Sequence, residues 1–450
     1  MADGKKPSPL DRLLDDPHFR AQAQDRAHDL VQFIDRSPTP YHAVTEVIRR
    51  LEAAGYTALD ERSRWSLNAG GRHYVVRSDA SLIAFELGQA TPAEAGFLMV
   101  GAHTDSPNLR LKPRPGYEKS GYAQLGVEVY GGVLLHTWLD RDLSIAGRVA
   151  LKTDQGVSLR LVDLEAPVAR VPNLAIHLNR GINTDGLKIN TQTHLPPVLA
   201  LATDGEADSG WANAIAKKLG AAPEQILDHD LCLYDVQKGA VAGLSKDFVQ
   251  VGRLDNLASC HAALGALLAS DHRIQATRLI ALYDHEEVGS RSVQGAAGPF
   301  LESVLRRIAS ATEGADGYDR AIAQSFLVSA DMAHAVHPNF ADKHEPHHMP
   351  VIGRGPVVKS NVNQSYATDG ESAARFARLC LEAGFLPQSF VTRTDLACGS
   401  TIGPITAARI GVKTVDVGNP MLSMHSIREM SGTTDVELMH RALSLLFAGA

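Results

Sequence analysis

Cysteine is scarce in this sequence of 450 residues: four copies occur, and none belongs to a Cys-x-x-Cys pair. Disulfide frameworks and thiolate zinc sites both depend on paired, closely spaced cysteines. The sequence therefore argues against both kinds of site. It indicates a reducing compartment, and we expect a cytoplasmic protein.

Excess positive charge and long apolar runs are missing as well. Lysine and arginine number 44 against 51 aspartates and glutamates, so the net charge is −7. That balance lacks the positive field that non-specific binding of nucleic acid or of an anionic membrane requires. No stretch approaches the roughly 18 apolar residues of a membrane span, and residues 1–30 lack the apolar segment of a signal peptide. We expect neither nucleic acid nor membrane as a partner.

The sequence does contain enough apolar material for a large folded protein. Hydrophobic residues make up 44% and charged residues 21% of the chain, which is typical of globular proteins. At about 150 residues per domain, the length suggests two or three domains. Histidine is unusually frequent, with 19 copies, and several lie beside carboxylates, a pairing that favours metal binding.

Short apolar runs alternate with helical patterns over much of the chain. The runs that predict strands are Phe97–Ala102, Leu279–Tyr283, Phe326–Ala330 and Val412–Val417. The patterns that predict helices are Asp25–Arg36, His42–Ala54, Leu257–Ala269, Ala373–Ala383 and Val436–Phe447. This alternation favours an α/β fold, a three-layer αβα arrangement around a mainly parallel, buried sheet.

The middle of the chain has a different pattern, with short strand-like pieces, glycine and proline punctuation and few long helices. Examples are Leu125–Tyr130, Gly147–Lys152 and Val157–Leu161. We therefore predict a β-rich inserted domain over about residues 107–246, with residues 1–106 and 247–450 forming the main domain.

Each of the four predicted strands is followed by side chains that commonly bind metals. In chain order these are His103 and Asp105, Glu286 and Glu287, Asp331, and His425. Asp255 adds a carboxylate just before a predicted helix. Ligands of α/β sheets bind at the carboxyl ends of the strands, so these residues can converge.

A ligand set of imidazoles and carboxylates without cysteine suits Zn²⁺ or a harder ion such as Mn²⁺ or Co²⁺. Two neighbouring cations, about 3.5 to 4 Å apart, need a carboxylate between them to offset their repulsion. Adjacent acids that leave a strand point in different directions. One of Glu286 and Glu287 can therefore bind metal while the other takes a proton from metal-bound water.

Other interpretations remain open for several of these residues. Asp255 could simply cap the helix that follows it, and the pair Glu286–Glu287 could form a solvated turn. The histidines at 344, 347 and 348 look like a metal cluster, but their polar, proline-containing surroundings favour a surface loop. Cys398 has no histidine–asparagine pattern to support a nucleophilic role, and we expect it to be a closely packed structural residue.

Taken together and in order, the motifs resemble the aspartyl aminopeptidase family, the M18 metallopeptidases. The matching segments are His103-Thr104-Asp105, Asp255-Asn256, Asp284-His285-Glu286-Glu287-Val288-Gly289-Ser290, Ser329-Ala330-Asp331-Met332-Ala333-His334 and Met424-His425-Ser426. Segments near both ends, residues 37–42 and 398–404, also look like family segments, so the resemblance covers nearly the whole chain.

The resemblance implies a specific set of ligands for two divalent metal ions, zinc first, with cobalt or manganese as alternatives. His103, Asp255 and Asp331 would hold one ion. Asp255, Glu287 and His425 would hold the other, so that Asp255 bridges the pair.

The resemblance also implies how the chemistry proceeds. Glu286 would be the general base, and Asp105 would orient His103 from behind. The expected reaction is hydrolysis of the first peptide bond of a peptide, with a preference for N-terminal Asp or Glu. Two alternatives stay open: a neutral-preference aminopeptidase of the same family, and a metal-bound scaffold without catalytic activity. A metal-free protein-binding module is the least favoured.

Four further residues match substrate contacts of the family. Lys359 would meet the acidic side chain of the substrate, and His334 and Tyr366 would provide further contacts. His177 would reach the site of a neighbouring subunit. The resemblance thus implies that the insert is a dimerisation domain and that the protein is a homo-oligomer, a tetrahedral dodecamer with enclosed active sites.

Overall fold

The computed structural model describes residues 8–202, 209–269, 274–312 and 316–449. The helices in these ranges are α1 (Pro9–Asp15), α2 (Pro17–Asp35), α3 (Pro40–Ala53), α4 (Pro92–Ala95), α5 (Ile182–Asp185), α6 (Gly210–Leu219), α7 (Leu254–Ala269), α8 (Phe300–Thr312), α9 (Gly317–Ala323), α10 (Gly370–Glu382), α11 (Ile402–Ile410) and α12 (Thr433–Ala448). None of them combines the length and the apolar character needed to span a bilayer.

The strands are numbered in chain order. They are β1 (Thr57–Ala58), β2 (Arg72–Arg77), β3 (Ser81–Glu86), β4 (Phe97–His103), β5 (Asn108–Lys119), β6 (Tyr122–Tyr130), β7 (Leu143–Thr153), β8 (Gly156–Asp163), β9 (Val198–Leu201), β10 (Ile226–Asp235), β11 (Ala240–Ala242), β12 (Phe248–Val251), β13 (Thr277–Tyr283), β14 (Phe326–Ala330), β15 (Ala333–His334), β16 (Val357–Lys359), β17 (Gln388–Phe390), β18 (Lys413–Gly418), β19 (Pro420–Leu422) and β20 (Glu429–Gly432).

A nine-stranded sheet with the order β1-β2-β3-β13-β4-β14-β18-β16-β17 forms the centre of the molecule. Its four middle strands, β13, β4, β14 and β18, are mutually parallel. These are the four strands that the apolar runs predict, and the expected α/β class with a mainly parallel sheet is confirmed.

Alternating side chains of the middle strands bury themselves on opposite faces, as the period of a strand requires. In β4, Val100 and Ala102 pack into the core beneath α2, α3, α7, α10 and α12. Phe97 and Met99 pack on the other face with α8, α9 and α11. Helices on both faces leave the parallel strands apolar throughout and complete three layers.

The helical opening of the chain has clear start and stop signals. Helix α2 ends at Asp35, and α3 begins after Thr39, whose side-chain oxygen accepts a hydrogen bond from the backbone N–H of His42. Pro40 occupies the first helical position, where its missing N–H costs nothing.

The middle of the chain forms a separate six-stranded antiparallel sheet with the order β8-β7-β10-β5-β6-β9. It has its own core, which includes Trp138, Leu143 and Leu231. Its strands run from Asn108 to Asp235, so the β-rich pattern of the sequence corresponds to a sheet of its own.

A third sheet has the order β11-β12-β20-β19-β15. Strands β19 and β20 are antiparallel neighbours, and the loop between them carries His425. Strand β15 begins two residues after Asp331 and carries His334. This small sheet therefore positions residues that the central sheet alone does not reach.

Candidate metal centre

The carboxyl ends of the parallel strands bring the predicted side chains together. Tyr283 of β13 pairs with His103 of β4, so the turn after β13 starts beside that histidine. Asp331 follows the end of β14, the next strand in the sheet. Asp255 lies at the start of α7 with non-helical backbone angles, before the regular helix begins. The central sheet and the start of α7 thus place one imidazole and several carboxylates close together.

His103 is the centre of one half of the cluster. Its Nε2 atom lies 3.4 Å from Asp255 Oδ1 and 3.5 Å from Asp331 Oδ1. The backbone oxygen of Asp105 accepts a 3.0 Å hydrogen bond from its Nδ1 atom. That bond fixes the tautomer, because a carbonyl can only accept, and leaves Nε2 free to ligate.

His425 is the centre of the other half. Its Nε2 atom lies 3.4 Å from Asp255 Oδ2 and 3.4 Å from Glu287 Oε2. Its Nδ1 atom donates to the backbone oxygen of Gly132 at 2.9 Å, which again leaves Nε2 facing the carboxylates. The two oxygens of Asp255 therefore face different histidines.

The potential ligand atoms form three overlapping groups within 4.8 Å: His103 with Glu286 and Glu287, His103 with Asp255 and Asp331, and Asp255 with Glu287 and His425. Within the described residues these are the groups with metal-ligand spacing. All five predicted ligands belong to them, together with Glu286.

Buried oxygens without a hydrogen-bond partner make the cluster a candidate cation site. Asp255 Oδ1 and Glu287 Oε1 are buried and make no hydrogen bond. An uncompensated buried carboxylate costs several kcal/mol. Burial, followed by the charges of Asp331 and Asp105, raises the pKa of Glu286 to about 8 even though His103 opposes the shift. Divalent cations would relieve this repulsion, so the residues present fit a bound metal.

The neighbouring carboxylates also raise the pKa values of the two histidines. Burial disfavours the charged form of His103, but the negative charge of Glu286 and the hydrogen bonds of the other carboxylates outweigh it and raise its pKa well above the usual range. Burial likewise opposes protonation of His425, and Asp255 reverses the effect and raises that pKa to about 8.

Asp105 lies behind the cluster and is completely buried. Its carboxylate accepts hydrogen bonds from the backbone N–H groups of Glu286 at 3.1 Å and Glu287 at 3.2 Å. The hydroxyl of Tyr130 donates to the same carboxylate at 2.6 Å. Asp105 thus supports both the His103 side and the acidic turn.

The acidic turn differs from its sequence interpretation in one respect. Glu286 and Glu287 lie on a short 3-10 turn, Glu286–Val288, rather than on an extended strand end. They still face different partners, because Glu286 Oε2 lies 3.9 Å from His103 Nε2 whereas Glu287 Oε2 is next to His425. The turn geometry, and not strand alternation, separates them.

Three supporting residues have no counterpart in the sequence analysis. Glu429 accepts a 2.7 Å hydrogen bond from the backbone N–H of His425 and a 3.1 Å bond from that of Asp255. Gly132 accepts from His425, and Tyr130 donates to Asp105. The only local signal was the glycine pair at 131–132 after a strand pattern.

Gly131 explains why that pair is glycine. Its φ is 75°, and a Cβ atom there would lie 3.1 Å from the Cβ of Glu287. A larger residue would therefore meet both backbone strain and a close contact with the acidic turn.

A cavity of about 410 Å³ opens in front of the cluster and is also lined by His334, Lys359 and Tyr366. The ammonium of Lys359 donates to the backbone oxygens of Asp331 at 2.9 Å and Met332 at 3.1 Å. It also lies 3.3 Å from Asp331 Oδ2 and 5.2 Å from the ring centre of Tyr366. Lys359 is therefore buried beside a potential metal ligand.

His177 is the predicted site residue that lies elsewhere. It belongs to an exposed 3-10 turn, Ile176–Leu178, which lies in the chain between strands β8 and β9 of the six-stranded sheet. Among the residues that the structure describes, it is not part of the cavity lining.

The structure also locates the residues for which other interpretations were open. Asp255 does not act as a simple helix cap, because its carboxylate faces His103 and His425. The loop with histidines 344, 347 and 348 is at least partly exposed and contributes to none of the metal-spaced groups in the described ranges. Cys398 packs against a small cluster that includes Tyr366.

The αβα fold and its buried imidazole–carboxylate cluster define the class of metal-dependent hydrolases. The sequence profile of the family described as "Aminopeptidase I zinc metalloprotease (M18)" matches residues 33–447. The "Probable M18 family aminopeptidase 2" of Ectopseudomonas mendocina is 53% identical over 422 residues, 93% of this chain and 97% of the relative. The Pseudomonas aeruginosa protein with the same name is 51% identical over 424 residues, 94% of this chain and 97% of its own.

Solved structures agree with this assignment. A chain in the "Cryo-EM structure of the Ape4 and Nbr1 complex" has a TM-score of 0.91 and 39% identity, covering 96% of this chain and 86% of the other. The S. cerevisiae mApe1 dodecamer has a TM-score of 0.83 and 32% identity, covering 94% and 96%. The chain belongs to the M18 family of zinc aminopeptidases, so the family resemblance and the assignment as a peptide hydrolase are confirmed.

Proposed function

We propose that this protein is a two-metal aminopeptidase that removes an N-terminal Asp or Glu from peptides. The observation that carries the proposal is the position of Asp255, whose two carboxylate oxygens face His103 and His425 at 3.4 Å each. A carboxylate shared in this way can offset the repulsion between two cations.

The five ligands divide into two overlapping sets. His103, Asp255 and Asp331 would hold one zinc ion, and Asp255, Glu287 and His425 the other. Bound zinc supplies Lewis acidity, which polarises a peptide carbonyl and brings the pKa of water toward neutrality.

Glu286 is the proton carrier of the proposal. It lines the cavity and lies opposite His103, but it is not needed to complete either ligand set. Its Oε2 atom lies 3.9 Å from His103 Nε2, beside the potential ligands, where a general base has to lie to take a proton from an attacking water. Glu286 takes a proton as water attacks the peptide carbonyl and returns it to the leaving amine.

Lys359 and its neighbours support the acidic preference. Lys359 is the buried cation of the cavity wall, with His334 and Tyr366 beside it. The names of the relatives do not state a substrate preference, so a neutral-preference aminopeptidase is the competing candidate. Lys359 also contacts Asp331, so it has a second role in orienting that ligand.

Hydrolysis of aminoacyl anilides tests the proposal. We expect Asp and Glu anilides to be cleaved with higher kcat/KM than Leu and Ala anilides, with zinc, cobalt and manganese each added in turn. Lys359→Met should reduce kcat/KM more for the acidic substrates than for the Leu anilide. Equal losses of kcat/KM for both kinds of substrate would mean that Lys359 only orients Asp331 and does not select acidic substrates. If the protein hydrolyses no anilide with any metal, an inactive scaffold is favoured.

We also propose that the six-stranded sheet is a dimerisation insert and that the protein assembles into a dodecamer. The mApe1 relative is a dodecamer, and His177 lies on the exposed side of the insert, where it could reach a neighbouring subunit. The insert, predicted over about residues 107–246, would end earlier, between β10 and β11, because Ala240–Ala242 already pairs with β12 of the main domain. Native mass spectrometry would give the subunit number directly.

The proposed compartment remains the cytoplasm. All four cysteines are free thiols in the structure, and three of them are buried, which fits a reducing environment.

A further inference from the structure

Asp416 is a completely buried acid of β18 that the proposed reaction does not use. A buried carboxylate is tolerated when its oxygens accept hydrogen bonds. One oxygen of Asp416 accepts a 2.6 Å bond from the backbone N–H of Ala367, and the other accepts a 2.6 Å bond from the hydroxyl of Thr401. The two donors belong to separate segments of the chain, and each segment borders the cavity in front of the metal ligands.

The first segment, residues 366–368, carries one of the proposed substrate contacts. The side chain of Tyr366 lines the cavity, and its ring centre lies 5.2 Å from Lys359 Nζ. Asp416 holds the two residues that follow, because its backbone N–H also donates to Thr368 Oγ1 at 2.9 Å. Backbone and side chain of Asp416 therefore both fix the chain directly behind Tyr366.

The second segment is residues 399–401, all three of which line the same cavity. It belongs to residues 398–404, one of the segments that resemble the M18 family. Thr401 is the N-cap of α11, and its Oγ1 atom accepts a 3.3 Å bond from the N–H of Gly403. The same hydroxyl donates to Asp416. A single side chain thus starts the helix and connects the segment to the central sheet.

Gly403 allows the carboxylate to come this close. A Cβ atom at this position would overlap both carboxylate oxygens of Asp416, so any larger residue would push them away from Thr401. The first turn of α11 also carries partial positive charge, which stabilises a neighbouring carboxylate. The glycine and the helix start are therefore both matched to the position of Asp416.

We propose that Asp416 is a positioning residue, which holds residues 366–368 and 399–401 in the arrangement that binds the N-terminal residue of a peptide. This inference rests on the proposed aminopeptidase function and extends it from the metal ligands to the wall of the cavity. Neither segment contains a proposed metal ligand or Glu286. Loss of the two bonds should therefore weaken substrate binding and leave metal binding and the hydrolytic step largely intact.

Hydrolysis of Asp p-nitroanilide by Asp416→Asn is the first test. An amide has only one oxygen, so at least one of the two donors loses its acceptor. We expect KM to rise about tenfold, the scale of one unsatisfied buried donor, while kcat stays within about threefold of wild type. The zinc content should not change.

Two variants of Thr401 isolate the hydrogen bond from the charge. Asp416→Asn also removes a charge that interacts with Lys359, whereas changes at Thr401 leave that charge in place. Thr401→Val lacks the donor and should raise KM like Asp416→Asn, and Thr401→Ser keeps the donor and should resemble wild type. This pair also decides the question if Asp416→Asn does not fold.

Asp435→Asn is the matched control. Asp435 is also completely buried, and its carboxylate accepts 2.7 Å bonds from the backbone N–H groups of Gly353 and Gly355. It does not line the cavity. We expect this variant to lower Tm without changing KM, which is the result of a purely structural loss.

Hydrogen exchange measured by mass spectrometry gives a readout that does not depend on activity. Asp416→Asn should accelerate amide exchange in at least one of the segments 366–368 and 399–404, and Thr401→Val should accelerate it in the second. Asp435→Asn should leave both segments as they are in wild type. Unchanged exchange in Asp416→Asn and Thr401→Val would show that the two bonds do not hold these segments.

The inference and the proposed function fail in different ways. If the wild-type protein cleaves no anilide, the proposed function is wrong, and the substrate-binding role of Asp416 is wrong with it. If wild type cleaves the anilide but KM is unchanged in Asp416→Asn and Thr401→Val, Asp416 is a structural residue only. Equal increases of KM in Thr401→Ser and Thr401→Val would also overturn the inference.

Discussion

Tyr130 donates a 2.6 Å hydrogen bond from its hydroxyl to the buried carboxylate of Asp105. Tyr130 is the last residue of β6 in the six-stranded sheet, whereas Asp105 follows β4 of the central sheet. The six-stranded sheet therefore contributes directly to the support of the candidate metal centre. Gly132, two residues further on, adds a second such contact by accepting from His425.

Tyr130→Phe should weaken metal binding without unfolding the protein. Removing the hydroxyl leaves Asp105 with one donor fewer, and losses of supporting hydrogen bonds commonly reduce metal affinity by about 10- to 100-fold. Zinc titration of activity after chelation would measure this, and excess zinc should restore most of the turnover. Tyr117→Phe, in the same sheet but outside the cavity in front of the cluster, is the control. Identical titrations of both variants would contradict a supporting role for Tyr130.

Glu429→Gln should lower the metal content of the purified protein. Glu429 uses one carboxylate oxygen for the N–H of His425 and the other for that of Asp255. A glutamine has only one oxygen, so one buried N–H loses its acceptor, at a cost of about 1–3 kcal/mol. Elemental analysis at a series of zinc concentrations would detect the loss. A variant whose metal content matches that of wild type at every zinc concentration would show that Glu429 does not support the metal ligands.

Chelation should destabilise the folded protein. Without cations, the crowded carboxylates around Asp255 repel one another, whereas a metal that binds only the folded state adds stability by mass action, about 4 kcal/mol at a thousandfold excess over Kd. We expect Tm to fall on treatment with EDTA and to recover when zinc is added back. A Tm that is indifferent to both additions would mean that the cluster does not bind metal tightly.

The stability of the protein should fall in mild acid, partly because of His440. Burial, followed by the charge of Arg26, lowers the pKa of His440 from 6.5 to about 3. Below pH 6.5, His440 is therefore protonated in the unfolded chain but stays neutral in the folded protein. The free energy of unfolding then declines by up to about 1.4 kcal/mol per pH unit. This contribution is fully present above pH 6.5 and is lost as the pH falls from there toward 3.

Urea unfolding of wild type and His440→Gln at about pH 7.5 and about pH 5 isolates this contribution. Other groups titrate equally in both proteins, so the difference in free energy of unfolding between the two should shrink or reverse in acid. If the difference stays constant over that range, His440 is not a source of the acid sensitivity.

The convergence of the main site residues could be predicted because it depends on topology. His103 and Asp331 follow apolar runs, and parallel strands end at one edge of a sheet, so two distant positions in the sequence meet in space. The assignment of roles came from the family resemblance, since the same residues could otherwise serve as caps or solvated turns.

The supporting contacts could not be predicted, because they depend on the packing of three sheets. Glu429 binds backbone N–H groups, which leave no trace in the sequence. Tyr130 meets Asp105 only because the six-stranded sheet packs beside the central sheet. Strand alternation was the wrong reason for the separation of Glu286 and Glu287, because a 3-10 turn competes with extended structure over such short distances.

The most direct test of the paired-metal peptidase is a combined measurement on Glu286→Gln: bound metal by elemental analysis, and turnover of Asp p-nitroanilide by the same preparation. We expect about two ions per chain in both wild type and variant, because Glu286 completes neither ligand set. Turnover of the variant should fall by about 10²- to 10⁴-fold, the scale of general-base catalysis. Variant turnover close to that of wild type would contradict the role of Glu286 as general base. A wild-type protein that holds no metal at saturating zinc would contradict the paired-metal site.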